Sequence, residues 1–450
     1  VQFYFMSENM KKDSPFISRH IRKRLKEMEI TKLTEIQQKA IPYAMEGRDL
    51  LGIANTGSGK TLSFLIPAAE KLILEKEVKT PKVLVISPTR ELAMQTSRVA
   101  QRLFADHPDI RTVLFVGGTK KADENEQLKK GCAILVCTPG RLLDHLKSGL
   151  SLKKIEIAVL DESDRILDIG FEKDMCEILT YLPKKRQTLM FSATNTDNVL
   201  CRSWLSKRYK KVQVKIDDKI TAAGLKQSFV VCPEDKRFSL LFSFLKRTDE
   251  KVIVFFSTCS SVMFHGELFS LLGFSAGVLH SGVKQDRRAR VFDEFCEGKI
   301  KVLFSTDVAA RGLDIPNVRW IVQYDPPTDP KEYIHRVGRT ARAGAFGEAL
   351  MFLLPHEKIF IKYLKHLGVE VDELTFKEPQ DITDYYIKTI SANYYLEKGA
   401  KEALRGYLQA YAGHKLKKVF DASKIELNKI SKSFGLASMP KIDLTICAGK

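Results

Sequence analysis

Short β-branched runs that alternate with helical stretches constrain the fold of this chain more than any other feature of its sequence. Such alternation is typical of βαβ units, whose consecutive strands lie side by side in a parallel sheet. The runs in the first half are Val83–Ile86, Val113–Val116, Ile134–Val136, Ile157–Leu160 and Thr188–Phe191. After a polar, highly charged stretch the pattern restarts with Phe229–Val231, Val252–Phe256, Lys301–Phe304, Trp320–Gln323 and Ala349–Leu353. The sequence therefore predicts two similar α/β domains in tandem.

The domain boundaries follow from where this pattern pauses and ends. We expect the first domain at residues 1–212, a linker at 213–225 and the second domain at 226–370. From about Val371 the strand runs stop, so residues 371–450 are expected to form a helical C-terminal extension rich in tyrosine. Two sets of residues in it recur at helical spacing. They are Ile382, Tyr386, Ile390 and Tyr394, and then Ala400, Ala403, Leu404, Tyr407, Leu408 and Tyr411.

The charge balance favours a polyanionic partner. Lys and Arg number 73 against 55 Asp and Glu, a formal net charge of +18 in 450 residues, which favours nucleic acid but leaves open a basic protein without that role. The eight cysteines lack paired metal-ligand spacing and are expected to be thiols in a reducing compartment. No apolar run approaches the ~18 residues of a membrane span, so we expect no membrane association. The basic clusters Arg19–Lys26 and Lys184–Arg186 could be nuclear import signals or an ordinary helix face and loop.

One segment has the pattern of a phosphate-binding loop. It follows the apolar run Leu50–Ile53 and precedes the helical pattern Leu62–Leu74, which is the strand, loop and helix order that such a loop requires. Its glycines let backbone N–H groups approach phosphate, while Lys60 can reach the terminal phosphates and Thr61 can ligate magnesium. The predicted ATP-binding residues are Ala54, Asn55, Thr56, Gly57, Ser58, Gly59, Lys60 and Thr61.

An acidic segment ends the predicted strand Ile157–Leu160. Its carboxylates should lie at the carboxyl edge of the sheet, beside the phosphate-binding loop. Asp161 is expected to hold Mg²⁺ through water, and Glu162 to orient or deprotonate the water that attacks the γ-phosphate. ATP and Mg²⁺ are therefore the expected cofactors, and a solvated acidic turn is the alternative.

Together these motifs resemble, in family order and over most of the chain, the DEAD-box RNA helicases of helicase superfamily two. The resemblance implies two tandem RecA-like domains that clamp single-stranded RNA across a cleft where ATP binds. Ile30, Lys32, Thr34 and Gln37 resemble the adenine-reading Q motif, although Glu29-Ile30 stands where the family usually has glycine and an aromatic residue. Ser163 replaces the alanine of the family name.

The resemblance also implies roles for residues in both domains. Asp164, Ser192 and Thr194 would couple the acidic motif to RNA separation. Gly312 and Asp314 would face the nucleotide, while Lys60, Glu162 and the arginine fingers Arg339 and Arg342 would be catalytic. The RNA-binding residues would be Pro88, Thr89, Arg90, Gly117, Gly118, Thr138, Pro139, Gly140 and Arg141 in the first domain, with Gln285, Arg288 and Thr306 in the second.

A narrower resemblance rests on the extension. Asn393–Leu396, Tyr407–His414 and Phe434–Leu436 are similar to the nucleolar DEAD-box helicases of large ribosomal subunit assembly. This implies a monomer that acts in the nucleus and nucleolus on precursor ribosomal RNA, with proteins of pre-ribosomal particles as partners. Lys415, Lys417 and Lys418 would be exposed and contact that RNA or a partner. The alternatives are an ATP-dependent clamp with little turnover, a helicase of another RNA pathway, or a processive DNA translocase.

Overall fold

The computed structural model describes residues 16–54, 57–75, 78–193, 199–214, 224–307, 318–341, 346–375 and 381–441, without the side chains of Asp168, Val199, Cys201 and Gln285. The described residues up to 214 form one compact unit, and those from 224 onward form another. In this part of the chain, no helix is both long and apolar enough to cross a bilayer.

The first unit is an α/β sandwich. Its strands are β1 Leu50–Ile53, β2 Val83–Ile86, β3 Thr112–Phe115, β4 Ile134–Cys137, β5 Ile157–Leu160, β6 Gln187–Ser192 and β7 Lys210–Gln213. Its helices are α1 Arg19–Glu27, α2 Glu35–Met45, α3 Lys60–Ile73, α4 Arg90–Leu103, α5 Lys121–Lys129, α6 Pro139–Lys147, α7 Ser163–Asp168, α8 Glu172–Thr180 and α9 Val199–Trp204. The described strands pair in the order β3-β4-β2-β5-β6-β1-β7, all parallel.

Alternate residues along the strands build two separate cores, one on each face of this sheet. Leu50, Val83, Val85 and Ile157 belong to one core, whereas Leu51, Leu84, Ile86 and Leu160 belong to the other. Strands buried on both faces have continuous apolar runs, which is why these strands could be recognised in the sequence.

The second unit repeats the topology of the first. Its strands are β8 Leu225–Val231, β9 Val252–Phe256, β10 Ala276–Leu279, β11 Val302–Thr306, β12 Trp320–Gln323, β13 Gly347–Leu353 and β14 Asp372–Glu373. Its helices are α10 Arg237–Arg247, α11 Cys259–Leu271, α12 Gln285–Cys296, α13 Pro330–Val337, α14 Phe360–His366, α15 Thr383–Ser391, α16 Tyr394–Ala412 and α17 Leu427–Ser433, with short 3-10 turns at Glu234–Lys236, Pro355–Ile359 and Ala422–Lys424. The described strands pair in the parallel order β10-β11-β9-β12-β13-β8-β14, which matches the first sheet position for position.

The extension packs onto this second unit. Tyr407 and the other members of its stripe on α16 are buried, and Tyr386 on α15 packs against Phe238 with the ring planes tilted and the centroids 4.3 Å apart. Gly406 lets α16 approach closely, since a Cβ there would lie 2.5 Å from the Ser260 hydroxyl oxygen. Tyr394 departs from the other residues of its set, since it is 72% exposed and lies at the first turn of α16.

Strand limits also depart from the expected boundaries. Strand β7 extends one residue past 212, β8 begins at Leu225, and β14 pairs with β8 beyond residue 370. Each of these segments lies at or next to the sheet edge, where a strand needs few apolar residues. In β7, for example, Val212 is the one buried residue.

Candidate functional site

The loop after β1 has the conformation of a phosphate cradle. Gly57 and Gly59 have φ of 78° and 91°, in the left-handed region that favours glycine, and α3 begins at Lys60. The buried Lys60 ammonium donates to the Ala54 carbonyl over 2.7 Å. The Ser58 hydroxyl oxygen is buried and has no hydrogen-bond partner among the described residues, as expected of a donor that serves a ligand. Asn55 and Thr56 lie outside the described residues.

The predicted adenine-reading segment contacts this loop directly. Gln37 donates from Nε2 to the Gly59 carbonyl over 3.0 Å and accepts at Oε1 from the Thr34 N–H over 2.9 Å. A Cβ on Gly59 would lie 2.5 Å from Gln37 Nε2. Gln37 is thus a structural part of the loop.

The departure from the family pattern at Glu29 has a backbone cost. Glu29 has a φ of 64°, in the left-handed region that favours glycine, and a residue with a Cβ adopts it at a cost of about 1–2 kcal/mol. Ile30 packs partly buried against the core, whereas Lys32 is exposed.

The acidic motif lies at the end of β5. Asp161 is buried, its N–H donates to the Ile86 carbonyl over 2.9 Å, and burial together with the neighbouring Glu162 raises its pKa to about 7. The charge of Lys60 opposes that rise in pKa. Glu162 is buried in a left-handed turn with φ 47° at the start of α7.

Asp164 connects this motif to the end of β6. Its Oδ2 accepts from the Ala193 N–H over 3.2 Å, and Oδ1 accepts from the Arg165 N–H over 3.1 Å. Ser192 is the buried last residue of β6. The predicted coupling residues Asp164 and Ser192 are therefore brought together, whereas Thr194 lies outside the described residues.

Two predicted RNA-binding loops meet at Arg90. Its guanidinium lies against the backbone of Gly117 and Gly118, where added Cβ atoms would be 2.7 and 2.8 Å from Nη2 and Nη1. Thr89 caps α4 by accepting from the Leu92 N–H over 3.3 Å. A Cβ at either position would push the guanidinium out of its place across the loop, and Gly118 also has a φ of 90°.

The third loop is held by a residue that the sequence reasoning missed. Glu124 is buried and accepts from Arg141 Nε over 2.9 Å and from His145 Nε2 over 2.6 Å. Arg141 also donates from Nη2 to the Thr119 carbonyl over 2.7 Å. Helix α5 is polar on every side, so no periodicity singled out Glu124. Thr138, Pro139 and Gly140 form the start of α6, with proline at the first helical position.

Strand order divides the carboxyl edge of the first sheet into two halves. The RNA-motif loops follow β3, β4 and β2, which are adjacent, whereas the nucleotide-motif loops follow β5, β6 and β1, also adjacent. The predicted residues therefore form two neighbouring groups.

The second unit carries the remaining predicted residues. Arg288 on α12 is buried, and Thr306 is the buried last residue of β11. His280 Nδ1 accepts from the Gly282 N–H over 3.2 Å. The pKa of His280 is lowered, chiefly by burial and also by the charge of Arg288. For Gln285 the structure gives the helix position without the side chain.

The arginine-bearing motif follows β12 on helix α13. Arg336 pairs with both oxygens of Asp307, through Nε over 2.5 Å and Nη2 over 2.8 Å. Arg339 is 2% exposed, and its Nε donates to the His335 carbonyl over 3.1 Å. Gly312, Asp314 and Arg342 lie outside the described residues.

Three family profiles match the chain. One described as "DEAD/DEAH box helicase" matches residues 34–200, and one described as "Helicase conserved C-terminal domain" matches residues 236–344. A third, "ATP-dependent rRNA helicase SPB4-like, C-terminal extension", matches residues 393–442.

Curated relatives and solved structures agree with these profiles. "ATP-dependent RNA helicase has1" of Emericella nidulans is 48% identical over 94% of this chain and 71% of its own length. "Probable ATP-dependent RNA helicase pitchoune" of Drosophila melanogaster is 46% identical over 95% of this chain and 64% of its own. Mss116p bound to single-stranded RNA and AMP-PNP superposes with a TM-score of 0.83 at 26% identity, covering 93% of this chain and 88% of that one. Dbp5 of S. cerevisiae bound to RNA and ADP BeF3 gives 0.72 at 28% identity, covering 85% and 98%.

Proposed function

Because this chain belongs to the DEAD-box family of ATP-dependent RNA helicases, we propose that it opens short RNA duplexes or displaces bound proteins in precursor ribosomal RNA during large-subunit assembly. Its use of ATP and its binding of RNA follow from the family. The family that the motifs indicated is thereby confirmed, and so are the two RecA-like sheets and the helical extension.

The observation that carries the proposal is the buried cluster at the ends of β1 and β5. Lys60, Asp161 and Glu162 are each less than 10% exposed, and Lys60 directly follows the loop in which Gly57 and Gly59 are left-handed. We assign Lys60 to the terminal phosphates, and Glu162 to the base that accepts a proton from the attacking water. Arg339 and Arg342 are assigned to the charge that develops on the phosphoryl group.

The donor set suits Mg²⁺. The Thr61 hydroxyl and the Asp161 carboxylate are hard oxygen ligands, and a buried carboxylate whose pKa is raised beside a second carboxylate is stabilised by a cation. When bound there, Mg²⁺ would neutralise charge on the phosphate oxygens.

RNA recognition is assigned to the loops after β2, β3 and β4. Arginines, hydroxyls and exposed backbone N–H groups position a phosphate backbone without reading base sequence. Arg90 lies against the glycine pair, and Arg141 is oriented by Glu124, so both guanidinium groups are held in place before RNA binds.

The pathway is inferred from the extension. The SPB4-like match at residues 393–442 overlaps the tyrosine-rich segments that indicated ribosome assembly. We assign the protein to the nucleus and nucleolus, with pre-ribosomal proteins as partners. Mapping crosslinks to cellular RNA tests this assignment, and crosslinks confined to messenger or spliceosomal RNA would contradict it.

Steady-state kinetics test the chemistry. Glu162→Gln should lower RNA-stimulated turnover by about 10²–10⁴-fold while retaining ATP and RNA, because the proton-accepting oxygen alone is lost. Lys60→Ala should instead weaken ATP binding. Glu172→Gln, an exposed acid on α8, is the matched control. Normal turnover in Glu162→Gln would refute the base assignment, and tight ATP-dependent RNA binding without phosphate release in the parent protein would favour the clamp.

A further inference from the structure

A buried arginine outside every motif discussed above lies beneath the extension. Arg237, the first residue of α10, is 2% exposed, and its Nη2 donates to Asp325 Oδ1 over 2.7 Å and to the Tyr324 carbonyl. The guanidinium carbon lies 4.3 Å from the ring centroid of Tyr324 and 5.2 Å from that of Tyr407. Burying a guanidinium costs free energy unless the group is paired, and an apolar side chain would fill the same space without that cost. A role beyond packing is therefore expected of Arg237.

Asp325 joins Arg237 to the arginine-bearing motif. While Oδ1 binds Arg237, Oδ2 accepts from the Ser257 N–H over 2.9 Å. The main-chain carbonyl of Asp325 accepts from Arg336 Nη1 over 2.6 Å. One residue thus connects the ends of β9 and β12 to helix α13.

Arg336 extends the connection to both predicted sites of this unit. Its other nitrogens pair with Asp307, which directly follows the predicted RNA contact Thr306. Three residues further along the chain is Arg339, the predicted finger, whose Nε donates to the His335 carbonyl beside Arg336. A displacement of Arg336 therefore disturbs the RNA-facing strand end and the finger-bearing turn together.

The extension fixes the other end of this chain of contacts. Tyr407 on α16 is 3% exposed and is the residue of the extension whose ring lies over Arg237. Its neighbour Gly406 holds α16 against α11, as described above.

We propose that Arg237 is a positioning residue that transmits the docking of the C-terminal extension, through Asp325, to Arg336 and hence to the coupling of RNA binding with ATP turnover. The proposal rests on the proposed RNA-dependent ATPase. Arg237 touches neither substrate, so its loss should lower kcat for RNA-stimulated hydrolysis and leave the KM for ATP nearly unchanged.

Substitutions that remove the charge or the ring test this in the full chain. Arg237→Met should lower RNA-stimulated kcat about tenfold, the size of a typical coupling between sites, and Arg237→Lys should recover part of that loss. Tyr407→Leu, which removes the ring from over the guanidinium, should lower kcat about threefold. Arg247→Met on the exposed end of α10 and Tyr394→Leu on α16 are the matched controls and should behave as the parent protein.

The double variant distinguishes a positioning role from a merely structural one, because only a positioning role predicts that the two effects on kcat do not multiply. If Tyr407 acts through Arg237, Arg237→Met with Tyr407→Leu should lower kcat about tenfold, no more than Arg237→Met alone, and not by the product of the two effects. Thermal unfolding of each variant identifies those that remain folded at the assay temperature, and Arg237→Lys serves if Arg237→Met does not fold.

Two results would overturn the inference: an unchanged kcat in folded Arg237→Met, or single effects that multiply in the double variant. Failure of the proposed function would look different, because the parent protein itself would then show no RNA-stimulated turnover, or Glu162→Gln would retain it.

Discussion

Removing the carboxylate of Glu124 should disturb at once two segments of the first unit that we assign to RNA binding. Its Oε2 accepts from Arg141 and His145, and its Oε1 accepts from the Val116 N–H over 3.2 Å and from the Thr119 hydroxyl. The loop after β3 and the helix after β4 are therefore held by a single side chain that is 3% exposed.

The magnitude follows from burial. Taking one partner out of a buried ion pair costs about 3–5 kcal/mol, so Glu124→Ala should lower the unfolding free energy of the first unit by that amount. Glu124→Gln keeps one acceptor oxygen and should cost about 1–3 kcal/mol. Affinity for single-stranded RNA should fall about tenfold through Arg141, and the slope of log affinity against log salt should become shallower by about 0.7 for one lost phosphate contact.

Fluorescence anisotropy of a labelled single strand with a non-hydrolysable ATP analogue measures the affinity, at several salt concentrations. Urea unfolding gives the stability. Asp123→Asn, an exposed acid on the same helix, is the control. If Glu124→Gln bound RNA as tightly as the parent while Arg141→Ala did not, Arg141 would be shown to hold its position without Glu124.

Three further predictions follow from the local surroundings of particular residues. Burial among aromatic rings lowers the pKa of His265 to about 4, from about 6.5 in the unfolded chain. The stability that the neutral ring contributes is therefore present above pH ~6.5 and is lost as the pH falls towards 4. His265→Phe should flatten this pH dependence of the unfolding free energy of the second unit, and an unchanged pH profile would contradict the reasoning. Gly59→Ala should weaken ATP binding at least tenfold, since the added methyl group would meet the Gln37 amide in a left-handed backbone, and normal affinity by calorimetry would count against that cradle geometry. Replacing all three exposed lysines beyond α16 with Glu should preserve folding and basal ATPase but reduce RNA affinity or particle association, whereas unaltered co-sedimentation with precursor particles would leave the extension with packing alone; these are Lys415, Lys417 and Lys418.

The fold was predictable where burial is two-sided. Runs such as Val83–Ile86 and Val252–Phe256 coincide with strands because both faces of a central parallel strand meet apolar helices. Strand β7, with the sequence Lys-Lys-Val-Gln, and strand β10, with Ala-Gly-Val-Leu, were missed. Both are outer strands of their sheets, so their composition carries little of that signal.

The candidate-site residues that belong to a short sequence motif could be named from the sequence. The buried residues that only support other side chains could not. Gly117 and Gly118 were found as a loop signature, and the structure places Arg90 against both. Glu124 and Arg237 were not found, because an acidic or basic residue in a polar stretch normally faces solvent. Their burial depends on partners far away in the chain: Arg237 and Asp325, for example, are 88 residues apart.

In each unit, hydrogen bonds at the carboxyl edge of the sheet join a segment assigned to RNA to a segment assigned to the nucleotide. In the first unit the Asp161 N–H donates to the Ile86 carbonyl, so the acidic motif is fastened to the strand that leads into the Thr89 loop. In the second unit the Arg336 pair with Asp307 spans from α13 to the end of β11. Parallel strands with loops at a common edge make such links short, because adjacent strand ends are about 5 Å apart. We therefore expect a small shift at a loop assigned to RNA to displace the acidic motif in the first unit and, in the second, Arg336, the residue through which Arg237 is proposed to act.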